Sequence, residues 1–71
     1  MKIRVNHVER YSMTEGDTIY NTLDEFFAKY PEDFMLATSN QVRDILTKLE
    51  LNDSIGLDYD QYIQLHMTKI S

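Results

Sequence analysis

The sequence predicts one small α+β domain spanning residues 1–71, with about three helices and a short N-terminal β-strand. Three observations lead there. The N-terminus alternates with period two, the middle carries two apolar stripes at helical spacing, and capping chemistry tips an evenly balanced tail toward helix. A chain of 71 residues holds a single core, and a domain of this size buries only about 60% of the surface its unfolded chain exposes. With no Cys there is neither a disulfide nor a thiolate metal site, so packing of aliphatic and aromatic side chains must supply the stability.

Taken in order, Ile3 and Val5 alternate with Lys2, Arg4 and Asn6 across residues 2–8, the spacing of a half-buried strand. Val8 and Tyr11 then suggest a bulge or bend. Gly16 breaks this run, and Asp17 or Thr18 stands where a helix N-cap belongs. Ile19, Leu23, Phe26, Phe27 and Tyr30 follow at i, i+4, i+7, i+8 and i+11, which predicts a helix over 19–30 stopped by Pro31. Residues 32–36 fit one helical turn or a short strand equally well.

Thr38-Ser-Asn-Gln is a capping-box pattern, in which the hydroxyl and the Gln41 amide each satisfy a free N–H of the first turn. Val42, Ile45, Leu46 and Leu49 supply the apolar stripe of a helix over 39–50. The tail is ambiguous. Leu57, Tyr59, Ile63, Leu65 and Met67 fit a strand with one miss at Gln61, whereas Tyr59, Tyr62, Ile63, Met67 and Ile70 fit a helix with one miss at His66. Asp58 followed by Gln61, with Asp60 between them, suits a helix N-terminus and favours a helix over 59–69. The expected core is Ile3, Val5, Leu23, Phe26, Phe27, Val42, Ile45, Leu46, Leu49, Ile63 and Met67.

Charge narrows the functional classes. Twelve acids against seven bases give a net charge of -5, which disfavours direct binding to nucleic acid or an anionic membrane, since both are approached through Lys and Arg. A basic protein is the expected partner. The acids are also unevenly placed: residues 15–33 carry six of them against Lys29 alone, and Glu50, Asp53, Asp58 and Asp60 form a second run without a base. No apolar stretch approaches the ~20 residues of a membrane span, and the N-terminus lacks the apolar segment of a secretion signal. A cytoplasmic location is expected.

Catalytic signals are sparse. Histidine is the side chain whose charge changes near neutrality, and neither His7 nor His66 stands in a spacing that marks a nucleophile, metal or phosphate site. No Gly-rich phosphate loop and no His-x-x-x-His pair is present. The expectation is a binding protein rather than an enzyme, with no cofactor and no metal.

Residues 38–68, most visibly Ser54-Ile-Gly-Leu-Asp-Tyr-Asp-Gln-Tyr-Ile-Gln-Leu, resemble a degenerate EF-hand. The resemblance places the liganding positions on Glu50, Asn52, Ser54, Gly56, Asp58 and Gln61. It departs from the family where Glu50 replaces the first Asp, Ile55 the sharp-turn Gly and Gln61 the closing carboxylate. Two carboxylates are too few for Ca²⁺. What the resemblance implies is a pair of helices joined by a loop, with Ile55 and Leu57 pairing as a short strand, for instance with the N-terminal strand. Such a module would be a regulatory adaptor that seats a partner helix in an apolar groove.

The leading expectation starts from the acids. Asp17, Asp24, Glu25, Glu32 and Asp33 lie along and around the first expected helix, where residues three and four apart are neighbours. Rigidly spaced carboxylates can imitate the phosphates of nucleic acid. In size and charge the chain also looks like small phage-encoded acidic inhibitors that mimic DNA to occupy a host DNA-binding protein. The candidate partner-binding residues are Glu15, Asp17, Asp24, Glu25, Glu32, Asp33, Glu50, Asp53, Asp58 and Asp60.

Overall fold

The alternation at the N-terminus forms strand β1 (Ile3–Glu9), in a computed structural model that describes residues 1–12, 15–31 and 37–71. The chain continues through β2 (Glu15–Tyr20), α1 (Leu23–Lys29), α2 (Ser39–Lys48), β3 (Ser54–Asp58) and β4 (Ile63–Lys69). The strands form one antiparallel sheet in the order β2-β1-β4-β3. The expected fold class of about three helices with one short strand is therefore corrected: the described residues form two helices and a four-stranded sheet.

Two segments account for the difference. Residues 15–20 were expected to lead into a helix from Ile19, yet they pair with β1 from Val8↔Glu15 to Ile3↔Tyr20. Only Tyr20 of this edge strand is buried, so it shows no alternation, and Gly16 lies within it rather than at a break. The N-cap of α1 is Thr22, in place of Asp17 or Thr18, and its hydroxyl accepts from the Glu25 N–H at 3.1 Å while the Glu25 carboxylate accepts from the Asn21 N–H at 3.0 Å. Helix α1 ends before Pro31, as expected, after seven residues.

The tail is the second. Asp58, the expected cap, ends β3 and starts no helix, and the flanking Asp60 accepts from the Tyr62 and Ile63 N–H groups at 2.7 and 2.8 Å. It thereby closes the turn between β3 and β4. Within β4 Leu65 and Met67 are fully buried and His66 between them is exposed, the alternation of a half-buried strand. The helix expected over 59–69 is absent, and with it the second helix implied by the EF-hand resemblance. β3 does form, but it pairs with β4 and not with the N-terminal strand.

Helix α2 starts on the capping box: Gln41 N–H donates to the Thr38 hydroxyl at 3.2 Å and Thr38 N–H to the Gln41 side chain at 2.9 Å. At its other end the Lys69 ammonium donates to the carbonyls of Thr47 and Leu49 at 3.2 and 2.9 Å. This ties the helix terminus to the last strand. Asn52 turns the chain from α2 into β3 with a φ of 71°, a left-handed conformation that Asn tolerates better than most residues.

The core lies between the helices and one sheet face. Ile3, Val5, Tyr20, Leu65 and Met67 come from the strands, Phe26, Val42 and Leu46 from the helices, and Tyr30 and Tyr59 from the segments that follow α1 and β3. Leu23, Phe27, Leu49 and Ile63 pack at its margin, while Ile45, expected inside, is 45% exposed. Both helices belong to the connection between β2 and β3, which are the two edges of the sheet. The chain thus crosses one face in helical form, and no helix covers the opposite face among the described residues.

Candidate interaction surface

Strand alternation and register define the bare face. Glu15, Val8, Gln64 and Asp58 form one cross-sheet row; Asp17, Asn6, His66 and Gly56 form the next; Ile19, Arg4, Thr68 and Ser54 form the third. In the first two rows the acids fall at the edges and the central strands supply neutral groups or a histidine. Edge strands in a four-stranded sheet are three strand spacings apart, roughly 14 Å.

On the β2 edge the Asn6 amide donates to Glu15 Oε1 at 2.9 Å and to Asp17 Oδ1 at 2.8 Å. One neutral group thus holds two carboxylates close together. No base pairs with either among the described residues. Glu25 follows at the start of α1, its carboxylate accepting from the backbone N–H of Asn21.

The second run borders β3. Glu50 and Asp53 precede the strand and Asp58 ends it. Asp60, in the turn after it, spends its carboxylate on backbone N–H groups. The acids therefore divide between elements instead of lining one helix face: Glu15 and Asp17 lie on the β2 edge, Asp24 and Glu25 on α1, and Asp58 on the β3 edge, with Glu50 and Asp53 before that strand. Glu32 and Asp33 lie outside the described residues.

Not every acid contributes free charge. Asp58 is bound by Arg10 at 2.6 Å, and Asp24 by Arg43 at 2.7 Å. The Arg43 guanidinium also stacks over the Phe27 ring, 4.8 Å from its centroid, which fixes it against the helix layer. Among the described residues, those of the candidate acids that remain without a base are Glu15 and Asp17 on β2, Glu25 on α1, and Glu50, Asp53 and Asp60 around β3. Sequence reasoning missed Asn6 as the organiser of the first pair. It also missed Thr22, although Thr22-Leu-Asp-Glu25 carries a capping-box signal in plain view.

One further polar group joins the two layers. The Tyr30 hydroxyl lies 2.7 Å from His7 Nδ1, and His7 Nε2 lies 3.3 Å from Glu9. Burial, reinforced by the neighbouring Tyr20 and Tyr59, pushes the Tyr30 pKa well above the ordinary phenol value. Among the described residues no three potential ligands cluster in a way that could hold a metal ion, and no helix is long and apolar enough to cross a membrane. No family model, curated protein or solved structure matches the chain.

Proposed function

We propose that this domain is an acidic protein-interaction module that occupies the nucleic-acid-binding surface of a basic partner, acting as a DNA mimic. The observation that carries this reading is the placement of carboxylates at both edges of one sheet face, Glu15 and Asp17 on β2 and the Arg10-bound Asp58 on β3, roughly 14 Å apart, with Arg4, His66 and neutral groups on the central strands between them. The major groove of DNA, about 12 Å wide, separates its two phosphate backbones by a comparable span. Arg and Lys side chains arranged to reach across such a groove would meet a carboxylate at each side.

The alternative, a regulatory adaptor seating a partner helix between EF-hand-like helices, has no support from residues 54–69, which form the β3–β4 hairpin. Charge and apolar-groove binding also differ in their response to salt. Binding through exposed carboxylates should weaken steeply as ionic strength rises, because charges further apart than about 10 Å are screened at 0.1 M salt.

The test is competition. A partner captured from a bacterial lysate at low salt and eluted at high salt is titrated with duplex DNA in the presence of this protein. Mimicry requires that the two exclude each other, since the same Lys and Arg side chains cannot serve both. Reversing Glu15 and Asp17 to Lys should then restore DNA binding. A ternary complex of partner, DNA and this protein would rule mimicry out.

A further inference from the structure

We infer that strand β2 is a docking edge for an extended basic segment of the partner, which pairs with it as a fifth strand of the sheet. The inference rests on the reading above that the partner is basic, and adds how it is held. β2 ends the sheet, pairing with β1 alone. Five of its six residues are exposed, and beyond that ladder it makes no backbone hydrogen bond among the described residues.

Such an edge invites pairing, and proteins usually blunt it with charged side chains, Pro or a bulge. β2 has no Pro, and its register with β1 runs unbroken from Glu15 to Tyr20. Its only charges are the two acids, which guard the edge against an acidic or like strand and leave it open to a basic one. Alternation sets Glu15, Asp17 and Ile19 on the bare face, and the Asn6 amide keeps both carboxylates there with no ion pair to a base among the described residues.

Charge complementarity selects the occupant. Residues directly opposite one another across strands interact most strongly, and like charges there destabilise the pair. The incoming strand must therefore carry Lys or Arg opposite Glu15 and Asp17, and an apolar residue opposite Ile19. Antiparallel pairing, the only kind in this sheet, gives the order apolar, basic, basic at a spacing of two. A second copy fits poorly: self-pairing centred on Gly16 sets Glu15 against Asp17 of the other copy, pairing centred on Asp17 sets that residue against itself, and pairing centred on Thr18 sets Asp17 against Ile19, so none of these registers gives either acid a base. The same acids repel nucleic acid.

The experiment titrates the full-length, isotope-labelled protein with the blocked peptide Thr-Ile-Val-Lys-Thr-Lys-Val and follows backbone amide resonances. Pairing should shift residues 15–20 most. N-methylation of the peptide amides that face β2 leaves its charge intact, yet should weaken binding about tenfold, the loss expected for one or two ladder hydrogen bonds. The Glu15→Gln, Asp17→Asn variant should weaken binding of the parent peptide by a similar factor.

Equal affinity for the N-methylated peptide would mean that charge alone holds it, overturning strand pairing while leaving the basic-partner reading intact. Failure of the parent peptide to bind, shifts centred on α2 or β3, or a dimer of the free protein held through β2 would each overturn the docking edge. DNA competition with the captured partner then reports on mimicry separately.

Discussion

Replacing Tyr30 by Phe tests the polar join between the helical layer and the sheet. The ring is 4% exposed, with Tyr20, Phe26 and Tyr59 at centroid distances of 6.4, 5.2 and 5.1 Å. Its hydroxyl meets His7 at 2.7 Å. The variant keeps the ring packing and removes this bond, so at about pH 8 it should lose roughly 1 kcal/mol. The alkaline limb is more diagnostic. An unfolded tyrosine ionises near pH 10, whereas burial holds the folded Tyr30 in its protonated form well beyond that.

The folded state therefore binds this proton more tightly. The stabilisation it brings is fully present below about pH 10 and is lost as pH rises toward the folded value, at ~1.4 kcal/mol per pH unit. Urea unfolding of both proteins from about pH 8 to pH 11 measures the difference. The parent should fall by ~1 to 1.4 kcal/mol more than the variant between pH 10 and 11, so that their stabilities converge. Parallel curves would refute the assignment of a buried, proton-retaining phenol to Tyr30.

Phe26→Ala should cost about 3–5 kcal/mol, because the ring is fully buried. That removes about half of the ~7 kcal/mol expected of a domain this size, and thermal melts followed by circular dichroism should show a melting temperature lowered by ~12–40 °C. Lys69→Met removes the ammonium from the end of α2; the expected loss of about 1 kcal/mol should lower the melting temperature by ~4–8 °C. Gly16→Thr should raise it by a comparable amount if the full β-propensity difference of ~1 kcal/mol is realised, since neither glycine has a positive φ and nothing lies within 4 Å of a Cβ added at Gly16.

The parts of the fold that were legible are those where local chemistry and burial agree. β1 alternates because one of its faces packs on the helices, and α2 announces itself through a complete capping box above an apolar stripe. β2 was illegible for a physical reason: an edge strand with a single buried residue, Tyr20, needs no alternation. Ile19 then joined the stripe of α1 by coincidence of spacing, while its side chain in fact stands 55% exposed on the bare sheet face. In the tail the alternation was present all along. It was masked because the count began at Leu57, across the turn that Asp60 closes, so two strands were read as one imperfect one. Asp60 illustrates why capping chemistry misleads in isolation, since a carboxylate that accepts N–H groups two and three residues ahead serves a tight turn as readily as a helix start.

The acidic surface shows the same division between local and distant information. Counting charges along the chain located both runs, because composition is local. Which carboxylates stay free depends on partners far away: Arg10 neutralises Asp58 across 48 residues and Arg43 neutralises Asp24 across 19. Those pairings also explain why an acidic run adjacent in sequence is not automatically a field of uniform sign. A salt bridge at the rim removes most of the long-range potential of its acid, whereas an amide such as Asn6 orients two acids and cancels neither. Glu15 and Asp17 therefore exert more outward field than Asp24 or Asp58, and charge reversal there should affect a basic partner more than reversal at Asp24, which would first have to break its contact with Arg43. Comparing Asp17→Lys with Asp24→Lys on one partner separates net charge, to which both contribute equally, from the carboxylate placement on which the proposed function depends.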